Sequence, residues 1–203
     1  MRMLARSLIL ALALGLIGVA SVHAQNRTIG FKLGPSFSKM SFDGDDEGQT
    51  WLTKFTGGGF LSLDMGAFRL QPELTYVTKG GQWDEAGVSG DLSFDYVEVP
   101  VLFVLPMGQG SGIQPNVYAG PALAYQVGCS VSSGGLSVDC DDEDQTKLDV
   151  GAMVGGGLAI PMGPGSFLLE GRFTFGLRNL AEVGSLKHRT GALLLGYSAT
   201  LRP

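Results

Sequence analysis

The chain has 203 residues, of which 44% are hydrophobic and only 16% are charged, and its formal net charge is −5. This length suits a single domain, and an acidic chain without a basic patch is a poor nucleic-acid binder. After the N-terminal segment, no stretch reaches the ~18 consecutive apolar residues of a membrane-spanning helix, so any membrane span must be made of strands.

The first 24 residues have the pattern of a secretory signal peptide. Arg2 and Arg6 form a positive region, residues 8–20 form a short apolar region, and Val22-His23-Ala24 fits a small-residue cleavage site. The apolar region is shorter than the ~20 residues that a membrane span needs. We therefore expect cleavage after Ala24, with an uncleaved anchor as the alternative, and a mature barrel domain at residues 25–203.

Apolar and polar residues alternate through the rest of the chain. In residues 28–38, Ile29, Phe31 and Leu33 occupy every second position, and Lys32 lies among the polar residues between them. Successive side chains of a strand point to opposite faces, so this pattern predicts a strand with one apolar face and one polar face. Seven further segments alternate in the same way: residues 54–64, 68–79, 92–105, 113–127, 146–160, 166–178 and 188–202.

The fourth of these eight segments changes phase. Its apolar residues fall on even positions at Leu92 and Phe94, but on odd positions from Val97 onward. An extra residue in one strand shifts the alternation by one position, so we expect either a β-bulge or a change of environment near Tyr96.

The connections alternate between long polar segments and shorter segments rich in glycine or proline. The long ones are residues 39–53, 80–91, 128–145 and 179–187, and the short ones are 65–67, 106–112 and 161–165. Outer-membrane barrels have short turns on the periplasmic side and longer loops outside. The pattern predicts an all-β fold, an eight-stranded antiparallel up-and-down transmembrane β-barrel with both termini on the short-turn side. Alternation alone does not say which face is inside; the export signal, the unequal loops and the lack of a covering helix favour apolar side chains facing lipid.

Charged residues fall on the polar face of several predicted strands: Lys32, Glu73, Glu98, Glu170 and Arg172. Eight strands enclose a space that side chains can fill, so we expect these five residues to form one charge network in the lumen. Paired charges satisfy one another where isolated buried charges are costly. The network is interpreted as a polar plug, and an ion path or gate is the alternative.

Cys129 and Cys140 are the only cysteines, and both lie in one polar segment of an exported chain, which predicts a disulfide between them. Acidic residues cluster at 43–47 and 139–144. Because neither cluster has the spacing of a calcium-binding loop, we interpret both as solvated outer surface rather than as a metal site.

Enzymatic chemistry is not indicated. His188 is the only histidine after the signal, which leaves little room for a nucleophile–base pair, and no hydrolase or metalloprotease motif occurs. The glycine runs 57–59 and 155–157 are not followed by helices and are therefore not phosphate loops. We expect no enzyme activity, no cofactor and no bound metal.

Several motifs occur together in the chain. Gly30, Gly34 and Ser38 open the barrel at equal spacing, residues 70–76 read Leu-Gln-Pro-Glu-Leu-Thr-Tyr, residues 96–102 read Tyr-Val-Glu-Val-Pro-Val-Leu, and residues 119–121 read Ala-Gly-Pro. With them the mature chain resembles the PorT-like outer-membrane β-barrel domain family of porin-like small barrels. The resemblance implies an eight-stranded outer-membrane barrel with a poorly defined activity, and it matches Glu73 and Glu98 to recurring inward carboxylates. The chain departs from the family near Ser36, where asparagine is frequent, and at residues 201–203, where many outer-membrane chains have a terminal aromatic residue.

These observations predict an integral outer-membrane protein with a structural or surface-interaction role. Its partners would be outer-membrane lipid and envelope or extracellular molecules that contact the long loops, with no nucleic acid, and we expect a monomer. Two alternatives stay open: a narrow channel for ions or small solutes, and a secreted soluble barrel that binds an apolar ligand in its interior.

Overall fold

The computed structural model describes residues 27–42, 49–85, 88–108, 112–134, 136–140, 147–177 and 186–201, and the expected signal peptide lies outside these ranges. The strands are β1 (Arg27–Phe42), β2 (Gln49–Thr50), β3 (Leu52–Asp64), β4 (Arg69–Glu85), β5 (Val88–Pro106), β6 (Gln114–Ser133), β7 (Leu136–Asp139), β8 (Leu148–Met162), β9 (Gly165–Gly176) and β10 (Leu186–Leu201). No helix within the described ranges combines the length and the apolarity needed to cross a bilayer.

Eight of the strands close into an antiparallel barrel. Each long strand pairs with the next long strand along the chain, and β10 returns to pair with β1 from Arg27–Leu201 to Phe42–Leu186. The order around the barrel is β1, β3, β4, β5, β6, β8, β9 and β10. The short strands lie outside this ring, because β2 pairs with β4 and β7 pairs with β6. The predicted eight-stranded up-and-down barrel is confirmed.

Tight turns join the strands at one end of the barrel. Gly66 and Gly163, in the β3–β4 and β8–β9 turns, have φ of 88° and 61°, a conformation that glycine adopts without steric cost. Arg27 and Leu201 pair with each other at this same end, next to Leu63. We call this the short-turn end and the opposite one the long-loop end; the described chain therefore begins and finishes at the short-turn end, as the alternating connections predict.

The apolar face of the sheet points away from the barrel axis. Phe31, Leu74 and Leu195 leave 54%, 60% and 48% of their surface exposed on the outside, whereas Lys32 and Glu73, their neighbours in sequence, are buried. A soluble barrel has the opposite arrangement, with apolar side chains inside. The outer surface is therefore suited to hydrocarbon, which argues against a secreted soluble barrel.

Aromatic side chains mark two levels on this outer surface. Towards the long-loop end, Tyr76 and Tyr125 flank Val97 on the two neighbouring strands. Towards the short-turn end, the rings of Phe68 and Phe103 lie 5.9 Å apart. Val97 and Phe103 are about 20 Å apart along the strand, at ~3.3 Å per residue. Aromatic girdles of this kind border the apolar band of outer-membrane barrels.

The strands continue further at the long-loop end than the alternation predicts. Most of the expected loop at residues 80–91 belongs to β4 and β5, and much of 128–145 belongs to β6 and β7; the expected loop 39–53 likewise contains the end of β1 and all of β2. Polar residues are frequent in these segments, so main-chain pairing continues where the apolar alternation stops. The pairing of β5 with β6 shifts between Asp95 and Tyr96, so an irregularity lies where the bulge was predicted, but the extra residue is Val127 on β6.

Candidate functional site

The lumen contains a group of four charged side chains from three strands, which we call the lower network: Lys32 on β1, Glu73 on β4, and Glu170 and Arg172 on β9. The Lys32 Nζ lies 2.6 Å from Glu73 Oε1 and 2.9 Å from Glu170 Oε2. The Arg172 guanidinium donates to Glu73 Oε2 at 3.0 Å. No side chain of the four is more than 7% exposed, and two cations balance two carboxylates.

The lower network crosses the whole width of the barrel. In the ring of eight strands, β4 and β9 are four positions apart in either direction, so they form opposite walls. The Arg172–Glu73 pair therefore bridges the lumen along a diameter, and Lys32 reaches the pair from the wall between them. Such a bridge obstructs the pore in the structure.

Neutral side chains complete the surroundings of the lower network. The Gln71 amide donates to Glu73 Oε1 at 2.9 Å, and the Tyr118 hydroxyl donates to Glu170 Oε2 at 3.2 Å. The Lys32 ammonium also lies 4.8 Å from the centre of the Phe60 ring, within the range of a cation–π contact. Charge pairing, hydrogen bonds and ring contacts together offset the cost of burying these ions.

Small residues on neighbouring strands make room for these long side chains. Lys32 lies between Gly58 and Gly196, and Arg172 lies between Gly155 and Ala192. A Cβ atom at Gly155 would come within 2.6 Å of the Tyr118 ring, and one at Gly157 within 2.7 Å of the Glu170 side chain. The glycines at these four positions (58, 155, 157 and 196) thus leave room for the side chains of the lower network.

Glu98 does not join the lower network, so the prediction of a single network of five charges is wrong in this residue. It belongs to a second group, the upper cluster, in which the Lys79 Nζ lies 2.9 Å from Glu98 Oε2 and 3.2 Å from Asp149 Oδ2. The same ammonium is 4.9 Å from the centre of the Tyr96 ring. The register between β4 and β5 separates Glu98 from Glu73. Glu98 pairs with Thr75, which is the next inward-facing residue of β4 after Glu73 and lies nearer the long-loop end.

Sequence reasoning missed Lys79 and Asp149. Lys79 is the last residue of a predicted strand, next to the long polar connection 80–91, and Asp149 follows the connection 128–145 with its acidic cluster. The two-residue alternation of β4 could have identified Lys79, because Lys79 lies on the odd-numbered, inward face of the strand with Glu73 and Thr75. The upper cluster holds two carboxylates and one cation, and Asp149 Oδ1 has no hydrogen-bond partner among the described residues.

A polar vestibule opens at the short-turn end of the lumen. Its volume is about 450 Å³, and it ends at Tyr118 and Glu170 of the lower network. Most of its walls are polar, with Ser62, Gln71, Gln114, Asn116 and Ser198 among them. The lumen is thus open to solvent from the short-turn end and closed by charge pairs further in.

The predicted disulfide is confirmed. Cys129 and Cys140 are bonded, with their Cα atoms 5.4 Å apart, and they close the base of the hairpin formed by β6 and β7. The acidic clusters at 43–47 and 139–144 lie outside the described residues except for Asp139, which is exposed. Their interpretation as solvated surface stays a prediction. Within the described residues, no group of three or more acidic, histidine or cysteine side chains is arranged to hold a metal ion.

The sequence profile of a family described as outer membrane protein beta-barrel domain matches residues 23–182. No curated protein sequence matches the chain. Among solved structures, Neisserial surface protein A has a TM-score of 0.52 at 15% identity, with 84% of this chain and 96% of that protein covered. The attachment invasion locus protein Ail of Yersinia pestis, solved with a heparin analogue, has a TM-score of 0.43 at 14% identity and coverages of 86% and 99%. The N-terminal barrel domain of Pseudomonas aeruginosa OprF has a TM-score of 0.42 at 16% identity and coverages of 86% and 98%.

Proposed function

Because the chain belongs to the outer membrane protein beta-barrel domain family, we propose that this integral outer-membrane protein is a non-enzymatic scaffold. Its lumen is closed to solutes, and its long-loop end is presented to partners outside the cell. In this proposal residues 1–24 are a cleaved signal peptide, residues 25–203 form the barrel domain, and the barrel is a monomer. Within the family we assign the chain to the PorT-like type, on the motifs at residues 70–76 and 96–102.

The observation that carries the proposal is the bridge across the lumen. The Arg172–Glu73 pair joins opposite walls, and Lys32 ties Glu73 to Glu170 in addition. Moving Glu73 aside would leave the buried Arg172 without its carboxylate, and moving Arg172 aside would remove one of the two cations that pair with Glu73. Breaking a buried ion pair in this way costs several kcal/mol. The closed state is therefore strongly favoured over an open one, and the lumen acts as part of the scaffold.

Conductance in a planar lipid bilayer tests whether the lumen is closed. The purified barrel is expected to give no steady single-channel steps, and the Lys54→Gln variant should be equally silent, because Lys54 pairs with Asp91 outside the lower network at 3.5 Å. Regular conductance steps from the unmodified barrel would refute the closed scaffold. They would favour a narrow channel, for which the vestibule of about 450 Å³ would be the entrance.

The orientation of the barrel needs its own test. An epitope tag inserted at the Gly134 turn, at the tip of the β6–β7 hairpin, should be accessible to antibody on intact cells. A tag inserted at the Gly66 turn should become accessible only after the outer membrane is permeabilised. The opposite result would place the long-loop end in the periplasm and would refute an outward-facing surface role.

A further inference from the structure

Strand β7 has one edge that no described strand pairs with, which we call its free edge. It pairs with β6 on one side, and no strand within the described ranges pairs with its other side. All four residues of β7 are exposed, with Leu136 and Val138 at 78% and 68%. The unpaired edge of a strand presents backbone donors and acceptors that can template another strand.

The backbone groups that point outward from this edge can be identified. The Cys140 N–H donates to the Cys129 C=O at 3.1 Å, so these residues form a hydrogen-bonded pair. Such pairs alternate along an antiparallel ladder. Val138 and Leu136 therefore direct their N–H and C=O groups towards β6, whereas the N–H and C=O groups of Ser137 and Asp139 point to the free edge.

The edge is held in place before any partner arrives. The Cys129–Cys140 disulfide closes the base of the β6–β7 hairpin, and the Ser132 hydroxyl donates to that of Ser137 at 3.2 Å. On its other side, β6 continues to pair with β5 as far as Gly90–Ser133. A strand that is already extended and fixed loses little conformational freedom when another strand is added to it.

The side chains of the hairpin favour a particular partner. Val131, Leu136 and Val138 share one face of the hairpin, because Val131 pairs with Val138, and all three are exposed. Asp139 is exposed at the end of β7. A second copy of this acidic chain would bring another carboxylate to the same edge, so an extended segment with basic residues is the better match.

We propose that β7 is a docking edge for an extended, basic-flanked peptide segment of a partner protein. The segment adds a strand through the main-chain groups of Ser137 and Asp139, places apolar side chains against Leu136 and Val138, and pairs a lysine or arginine with Asp139. Backbone hydrogen bonds supply the affinity in this mode, and alternate side chains supply the selectivity. The inference rests on the proposed function, because the partner must reach the long-loop end.

The test uses the folded full-length barrel in lipid nanodiscs and a fluorescein-labelled peptide of alternating valine and threonine with a lysine at each end. Saturable binding is expected by fluorescence anisotropy. The Ser137→Pro variant removes the outward N–H without removing a main-chain bond between β6 and β7, and it should bind at least about tenfold more weakly. Ser137→Ala, which controls for loss of the hydroxyl, should bind within about twofold of the parent. The Asp139→Lys variant should prefer the same peptide with glutamate at each end.

Three results of the peptide-binding experiment would overturn the proposal. These are no saturable binding below about 1 mM, equal binding by the Ser137→Pro variant, and equal binding of a peptide N-methylated at every second residue. Retention of the Cys129–Cys140 bond and of heat-modifiable migration checks that each variant is folded. Self-association of the parent that Ser137→Pro abolishes would make a second copy the occupant and would also overturn it. Because nanodiscs leave both barrel ends accessible, the peptide can fail to bind even when the conductance and epitope tests support the proposed function. Failure of the docking edge and failure of the proposed function can therefore be distinguished.

Discussion

Replacing Arg172 by methionine tests the lower network most sharply. The change keeps most of the side-chain volume but leaves one buried cation, Lys32, to serve two buried carboxylates. Removing one partner of a buried ion pair costs about 3–5 kcal/mol. Glu73 retains Lys32 at 2.6 Å and Gln71 at 2.9 Å, so we expect the lower end of this range, a loss of about 3 kcal/mol in the free energy of unfolding.

The measurement is urea unfolding in lipid vesicles, followed by heat-modifiable migration on gels. Adding Glu73→Gln to Arg172→Met restores the charge balance and should recover about half of the loss. The Lys54→Met variant is the matched control, because Lys54 is 38% exposed and its partner Asp91 25%, and such pairs contribute at most about 1 kcal/mol. If Arg172→Met unfolds at the same urea concentration as Lys54→Met, the argument for a stabilising plug is refuted.

Three further predictions concern other parts of the barrel. Gly155→Ala should destabilise the barrel by about 1–3 kcal/mol, because the added methyl group would crowd Tyr118. Gly171→Ala is the control and should be neutral in the same urea assay, because its Cβ would meet only Leu193, at 3.7 Å. Equal effects of the two variants would contradict the role given to the inward glycine. The double variant Cys129→Ser and Cys140→Ser should leave the urea unfolding of the barrel unchanged but should speed proteinase K cleavage within residues 128–140. If the hairpin of the double variant stays uncut, the disulfide is not the main restraint on the hairpin. Leu74→Arg should lower the free energy of unfolding in vesicles by about 2–4 kcal/mol, because Leu74 faces lipid. Leu136→Arg should lower it by less than about 0.5 kcal/mol, because β7 lies beyond the apolar band. Comparable losses would contradict the placement of β7 outside the membrane.

The barrel could be predicted from the sequence because its strands carry a strict two-residue alternation. That alternation arises from the membrane, which requires apolar side chains at every outward position, such as Phe31, Leu74 and Leu195. Where the strands leave the apolar band, the requirement ends and so does the pattern. For that reason the extensions of β4, β5 and β6, and the whole of β7, were interpreted as loops.

The charged lumen could be predicted only as a set of inward residues. The phase of each strand gives the direction of Lys32, Glu73, Glu98, Glu170 and Arg172, but grouping them needs the register between strands that are distant in sequence. Register places Glu73 opposite Arg172 and moves Glu98 one inward position towards Lys79 and Asp149. No pattern within a single strand contains that information.

The central claim is that the apolar face meets lipid and the charged face meets the lumen. The most direct measurement is a methyl NOESY spectrum of the barrel in lipid nanodiscs. Cross-peaks from acyl-chain protons should reach the methyl groups of Leu74 and Leu195, which are 60% and 48% exposed, and should be absent for Leu102 and Leu194, which are 0% and 1% exposed. Acyl-chain contacts to Leu102 and Leu194 without contacts to Leu74 and Leu195 would contradict the account.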